Sequence, residues 1–578
     1  MTAGDAWMQD QAAGCWWRFR APVDTVAASR VSEVIPALQA LETRVAREHL
    51  WAAGYIAYEA GPAFDPALRA RAGDELPLLW FGLYPAPEAG EPPALAAESA
   101  PVVHWTPGID RAAYDDAIAE IRRLIAAGDT YQVNYTFRLQ AALGEAPERL
   151  FRRMVAANRP GCAAYLDCGR HVVCSASPEL FFRLDRRSLE CRPMKGTAAR
   201  GLWPAQDAAA AAALQASEKD RAENVMIADM VRNDLGRIAV PGSVRVPALF
   251  SLEAYPSVWQ LTSTVRCETG ASVTDILRCL FPPASITGAP KVRASQIIAE
   301  LESTPRGVYT GCIGWIAPGR RAQFSVAIRT AVADRVRGSV DYGVGSGIVW
   351  DSGSLSEYEE CLLKARVVTA QPPPECALLE TLLWEPGRGY FLLDEHLQRM
   401  AGSAALLGFV FGAAACRRRL ADLASGFPPV AQRVRLLVER GGTIACEAQP
   451  LENTSGPVRL RLAPAAVDIA DPYLYNKTTH RAVYEQALAG RGDCDDMLLW
   501  NARGEITETT IANIVVEIGG RRLTPPVACG LLPGVFRGHL LAAGEIEEAV
   551  ISVPDLRRST RLWTINSVRR WREALLSD

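Results

Sequence analysis

Arg192-Pro193-Met194-Lys195-Gly196-Thr197 carries a lysine in a chain that almost never uses one. Five lysines, at 195, 219, 291, 364 and 477, stand against 57 arginines in 578 residues. Arginine serves the ordinary charged surface, so a retained lysine points to chemistry that a guanidinium cannot do. An amine can shed its proton and act as nucleophile, base or carbonyl partner. Lys195 is therefore the first catalytic candidate, and the segments on either side of it show what could surround it.

Upstream, a helical pattern from Ile109 to Ala127 stops at Gly128-Asp129 and gives way to the strand-like Thr130 to Phe137, with Gln132 and Asn134 on one face. Alternation continues through Ala163-Ala164-Tyr165-Leu166 and Val172 to Ala176. It leads into Ser177-Pro178-Glu179, sixteen residues before Lys195. Antiparallel strands here would bring the Glu179 carboxylate to the amine. Cys162, Cys168 and Cys174 fall six apart, which on one strand places them on one face as buried hydrophobes.

Downstream, Ala208 to Ala213 reads as an Ala-rich loop, and Ser217-Glu218-Lys219-Asp220 opens a helix through Leu235 that carries Glu223. Phe281 to Lys291 reads as a Pro/Gly-rich loop entering a helix, a geometry that presents backbone N–H groups to an anion. Gly343-Val344-Gly345-Ser346-Gly347 and a helix bearing Glu357, Glu360 and Lys364 follow. Glu357 and Glu360 stand one turn apart, and two acidic helices suit a hard cation such as Mg²⁺.

At this length, with 49% hydrophobic and 22% charged residues, the chain needs more than one core. Net charge of −3 gives no basic field for nucleic acid, and six histidines cannot build a His-rich metal cluster. No apolar run has the length of a membrane span and the N-terminus lacks a signal pattern, so the expectation is a cytoplasmic protein that binds neither nucleic acid nor membrane. Pro85 to Pro101 reads as an internal loop. Pro372-Pro373-Pro374 marks the clearest linker, dividing the chain into 1–368 (core about 105–368), a linker at 369–376, and 377–578.

Taken in order, Gly128 to Asn134, Ser177-Pro178-Glu179, Pro193 to Thr197, Arg232-Asn233-Asp234-Leu235, Ser285 to Lys291 and Gly345 to Ser352 closely resemble the chorismate-utilising enzymes over roughly residues 50–368. The resemblance implies an α+β (mixed α/β) fold of large antiparallel sheets flanked by helices. Isochorismate-type members carry lysine where this chain has Gln132. Anthranilate and isochorismate members carry alanine where it has Lys195, and the lysine form resembles the aminodeoxychorismate synthases. That likeness implies covalent catalysis by Lys195 with Glu179 as proton shuttle. Glu223, Glu360 and Glu357 would bind Mg²⁺, and Tyr309 and Arg329 a substrate carboxylate. Further substrate contacts fall to Gln132, Thr197, Thr287, Gly288, Gly345, Gly347 and Lys364. Gln260, Ala284 and Trp350 depart from the usual His, Gly and small residue. No cysteine lies in a Gly-x-Cys-x-Gly elbow, so ammonia is expected from a separate glutamine amidotransferase or from solution.

Past the linker, Glu395-His396-Leu397-Gln398-Arg399, Tyr475-Asn476-Lys477-Thr478-Thr479-His480-Arg481, Glu505-Ile506-Thr507-Glu508 and Asn566-Ser567-Val568-Arg569 resemble fold-type IV pyridoxal-phosphate enzymes. The resemblance implies a two-subdomain fold, with Lys477 holding the cofactor and Glu508 at its ring nitrogen. Arg399, Val535 and Phe536 would hold the phosphate, and Ser567 would be a further cofactor contact. Phe536 replaces the usual Thr, so backbone must serve there. Such relatives dimerise, which makes a homodimer through this domain an expectation. Aminotransferase and 4-amino-4-deoxychorismate lyase remain open on these motifs, and fusion to the first domain favours the lyase. The joint expectation is 4-aminobenzoate made from chorismate and ammonia. One rival is an anthranilate synthase component I-like domain joined to an aminotransferase, and another is a non-catalytic chorismate sensor.

Overall fold

The computed structural model describes residues 4–73, 76–90, 103–369, 371–452 and 456–577. They form two compact units, Met1–Ala199 with Ala211–Pro373, and Arg200–Ala210 with Pro374–Asp578. Most of the loop expected at 85–101 lies outside the described residues.

The first unit is built on two ten-stranded sheets whose neighbours pair antiparallel. Near one end of the first sheet Gln132–Ala142 lies beside Ser339–Ile348, and near one end of the second Val258–Glu268 lies beside Met194–Ala199. Their inner faces share a core of Met8, Phe19, Trp51, Tyr55, Leu166 and Trp315. Helices cover the outer faces because each carries an apolar stripe at helical spacing. In Val31–Glu48, for instance, Val34, Leu38, Leu41 and Val45 are buried against one sheet. Helices Arg111–Ala126, Pro147–Asn158 and Lys291–Leu301 cover the other.

Two expectations change. Residues 204–216 form a helix rather than a loop, since alanine is the strongest helix former and Pro204 sits at its start, where proline is tolerated. Cys162 and Cys168 lie on one strand, but a turn at Gly169-Arg170 puts Cys174 on the next, opposite Tyr165. The helix after the Pro/Gly loop begins at Lys291, whose Nζ is taken by Asp234 at 2.9 Å and by the Leu280 carbonyl at 3.0 Å.

The second unit has a four-stranded antiparallel sheet around Leu378–Glu385 and Gln432–Val438, backed by helices Leu393–Leu407 and Ala413–Ala424. An eight-stranded mixed sheet includes Asp496–Trp500, Ile506–Thr509, Asn513–Ile518 and Arg561–Asn566. Arg200–Ala210 belongs to this unit: Trp203 stacks on Tyr475 at 5.1 Å, and Asn476 Nδ2 donates to the Leu202 carbonyl at 2.9 Å. Among the described residues no helix is long and apolar enough to cross a membrane.

Candidate active sites

Lys195 owes its direction to a fault in its strand. The register of Met194–Ala199 against Val258–Glu268 slips between Met194 and Thr197. Gly196 takes up the extra residue at φ +97°, and such bulges re-aim side chains beside sites. Helix Glu218–Gly236, capped by Ser217, is tied to this strand by Asn224, whose Nδ2 donates to the Lys195 carbonyl at 3.1 Å. Glu223, one residue earlier, therefore faces the lysine, with Oε2 3.8 Å from Nζ.

These groups line a cavity of about 180 Å³ together with Glu179, Thr197, Tyr309 and Arg329. Gly345, Gly347, Glu357, Glu360 and Lys364 complete it among the expected residues. Gln132 lies behind Gly347. A Cβ at 347 would stand 2.6 Å from Lys195 Nζ and 2.8 Å from Gln132 Nε2, so a side chain there would displace the ends of both. Gln132 is fully buried and neither amide atom has a hydrogen-bond partner in the protein, a cost that a bound polar group would offset. Thr287 and Gly288 sit against the Gln132 strand: the Thr287 carbonyl accepts from Asn134 N, and Gly288 pairs with Val133.

Burial pushes the Glu179 carboxyl up to about 7, offset in part by Ser285, by the Met194 backbone and by the Lys195 charge. Ser285 Oγ donates to Glu179 Oε1 at 2.7 Å and so orients it. Sequence reasoning placed Ser285 only in the loop motif, because its partner lies 106 residues away. Arg329 adopts a left-handed φ of +51°, a strained setting for a side chain, and burial lowers its guanidinium's pKa. Among the described residues no carboxylate lies within ion-pair distance of it. Gln260 Oε1 accepts from Thr197 Oγ1 at 3.0 Å.

Glu223 is held up by burial, with Asp220 and Glu357 adding to the rise and Lys195 opposing it. Glu360 is driven up by burial but ends below the usual carboxylate range because Lys364 Nζ stands 2.7 Å away. Among the described residues no three candidate ligands are close enough to form a metal cluster. The donors are nonetheless all carboxylates and mutually repelling at Glu223, which is the chemistry a hard cation satisfies.

A second cavity, of about 360 Å³, contains Lys477, Glu508, Arg399, Val535, Phe536 and Ser567. Lys477 is placed by a bridge in which Leu379 N donates to its carbonyl at 2.9 Å. Burial, helped by Arg399 and opposed by Glu380, lowers its amine to about 8. Glu508 is raised to about 7 by burial, against the pull of Leu532 N–H and Tyr484. Tyr484 Oη and Asn513 Nδ2 reach it at 2.9 and 3.1 Å. Arg399 is gripped by Glu380 at 2.8 and 2.5 Å, and Glu380 also takes His396 Nδ1 at 2.7 Å. The Phe536 ring packs on Phe391 and stacks on His539, and Gly534, Val535 and Phe536 at the start of its helix line the cavity. A buried lysine with depressed pKa, a buried carboxylate and a fixed arginine fit pyridoxal phosphate.

Residues 4–370 match the family of chorismate binding enzymes, well over half of the chain. The chain belongs to the chorismate binding enzymes. Residues 377–575 match the class IV amino-transferases, the fold-type IV group that uses pyridoxal phosphate. An aminodeoxychorismate synthase from Streptomyces pristinaespiralis is 44% identical over 271 residues, covering 46% of this chain and 37% of that protein. Anthranilate synthase component 1 from Streptomyces coelicolor is 41% identical over 293 residues, covering 49% and 56%. The chain thus spans between about a third and about half of the length of these curated relatives. The crystal structure of anthranilate synthase component I from Streptococcus pneumoniae TIGR4 superposes with TM-score 0.54 at 23% identity, over 64% of this chain and 93% of that one, which shows the shared fold.

Proposed function

We propose that the chain makes 4-aminobenzoate in two steps. The first cavity aminates chorismate at C4, and the second releases pyruvate from the resulting 4-amino-4-deoxychorismate. Lys195 carries the first assignment. Overall identity to aminodeoxychorismate and anthranilate synthases is nearly equal, and it is the amine in the cavity, 3.8 Å from Glu223, that separates the two chemistries.

In the first step the Lys195 amine forms a bond to C2 of chorismate, both ring double bonds shift along C1, C6 and C5, and the C4 hydroxyl leaves as water with a proton from Glu179. Ammonia then attacks C4, the two double bonds return, and the lysine departs. A carboxyl near 7 is well matched to giving and regaining that proton at neutral pH. Glu223, Glu360 and Glu357 would hold Mg²⁺, which neutralises a ring carboxylate; Arg329 and Tyr309 would take the other. Ammonia would come from a partner glutaminase subunit.

In the second step pyridoxal phosphate supplies the electron sink when bound. Lys477 would anchor it, Glu508 would face its ring nitrogen, and Arg399 with the amides of Val535 and Phe536 would hold its phosphate. Lys477, as the free amine, takes the C4 proton. Its value of about 8 leaves a useful neutral fraction at physiological pH. Loss of that proton and of enolpyruvate aromatises the ring.

The test is purified full-length protein with chorismate, Mg²⁺, an ammonium salt and pyridoxal phosphate, with products separated by chromatography. 4-Aminobenzoate with pyruvate is expected, whereas anthranilate would overturn the reading. Lys195→Ala should abolish C4 amination while the visible absorbance of bound cofactor persists. Amination that survives the substitution would rule out the covalent route.

A further inference from the structure

Among the described residues seven lysine and arginine side chains, one histidine and a single carboxylate, Glu508, line the second cavity. Four of the cations have duties there. Lys477 is the reactive amine, Arg399 is clamped by Glu380, Arg481 donates to the Thr510 carbonyl, and Arg537 is paired with Glu548 at 2.5 Å. The other three, Arg433, Arg435 and Arg569, belong to the more exposed part of the lining, whereas Glu508 is only 4% exposed.

Arg433 and Arg435 alternate on strand Gln432–Val438 and so share one face of its sheet. Thr381, opposite Arg435 in register, lines the cavity too. Arg433 Nη2 donates to the neutral amide oxygen of Gln449 at 2.7 Å. Arg435 meets Glu447 at 3.3 Å, with the two side chains 41% and 60% exposed. An ion pair that open to water is weak, so it yields easily to a better partner. Arg569 Nη1 reaches the Glu452 carbonyl at 2.8 Å, and burial together with Arg572 and Arg433 holds its guanidinium below the ordinary range. Crowding guanidinium groups around one opening costs free energy that a bound anion recovers.

We propose that Arg433, Arg435 and Arg569 form an outer carboxylate subsite that selects amines whose carboxylates lie remote from the amino carbon. The inference rests on the reading of the second cavity as the site of pyruvate release. The α-carboxylate of an amino acid sits on the carbon that bears the amine, so with that amine at Lys477 it cannot also serve an outer subsite; only a second, side-chain carboxylate could. A cyclohexadiene with its amine at C4 carries a carboxylate across the ring. The subsite therefore favours elimination from 4-amino-4-deoxychorismate over transamination of amino acids that lack a second, remote carboxylate.

The test uses the full chain loaded with pyridoxal phosphate and two variants, Arg433→Gln and Arg569→Gln. Chorismate has no amine and cannot displace Lys477, so its titration against the visible cofactor band reports the carboxylate subsite without any turnover. Each variant should weaken that titration about tenfold and raise KM for pyruvate release by a similar factor. The position of the band and kcat should hold within about twofold. Arg433→Lys should recover most of the loss. Unchanged titration in both variants would overturn the subsite. If the unsubstituted protein releases no pyruvate, the elimination reading fails, while the band titration still decides the subsite. Should Arg569→Gln lose cofactor, the exposed Arg433 position carries the decision.

Discussion

Glu179 shows how one burial decision governs both chemistry and stability. Its carboxyl stands near 7 in the folded chain against an ordinary 4.5. Between those values the folded state holds a proton that the unfolded state has lost, so stability falls as pH rises from about 4.5 to about 7 and is level above that. The gap is worth about 3 kcal/mol. Glu179→Gln removes it, and thermal unfolding should show the variant losing less stability than the parent between pH 5 and pH 7.5. The same substitution should erase an ionisation near pH 7 from the amination rate. Gly347 is the second decisive residue. A methyl group there would press on Lys195 and Gln132, so Gly347→Ala is expected to lower C4 amination on the order of 100-fold without changing cofactor absorbance in the second unit. Equal loss of both readouts would point to misfolding instead.

At the scale of elements, each reactive lysine sits where regular structure is interrupted and is then pinned by a neighbour. The bulge at Gly196 turns Lys195, and Asn224 on a capped helix holds its backbone. Lys477 follows Tyr475 and Asn476, which Trp203 and Leu202 secure from a segment far earlier in the chain. Removing the Trp203 ring takes away a stacked contact of about 1 kcal/mol. Trp203→Ala should therefore weaken pyridoxal phosphate binding several-fold in a titration of the full chain. An unchanged affinity would mean that the segment packs on the second unit without positioning Lys477.

Across the whole molecule, two cores support two cavities with different chemistry. Lys477→Ala should leave C4 amination intact and let 4-amino-4-deoxychorismate accumulate, seen as an amine-bearing product that yields 4-aminobenzoate once unsubstituted protein is added. Loss of amination in this variant would show that the first step needs the second site's lysine.

The chain's own order of residues determined the two-part organisation and the antiparallel alternation of the first unit, and it singles out Lys195 and Lys477 as candidates. These follow from local signals: period-two apolar runs, a proline-rich break, and lysine kept where arginine is the rule. Misreadings were local as well. An alanine run was read as loop where helix propensity wins, and a cysteine spacing of six crossed a turn. Only the tertiary structure decided that Ser285 orients Glu179, that Tyr484 and Asn513 hold Glu508, and that Arg200–Ala210 joins the second unit. Only it gathered Arg433, Arg435 and Arg569 at one opening. Those pairings join residues between 5 and 274 positions apart. Burial and cross-chain packing create them, and no periodicity within a single segment records either.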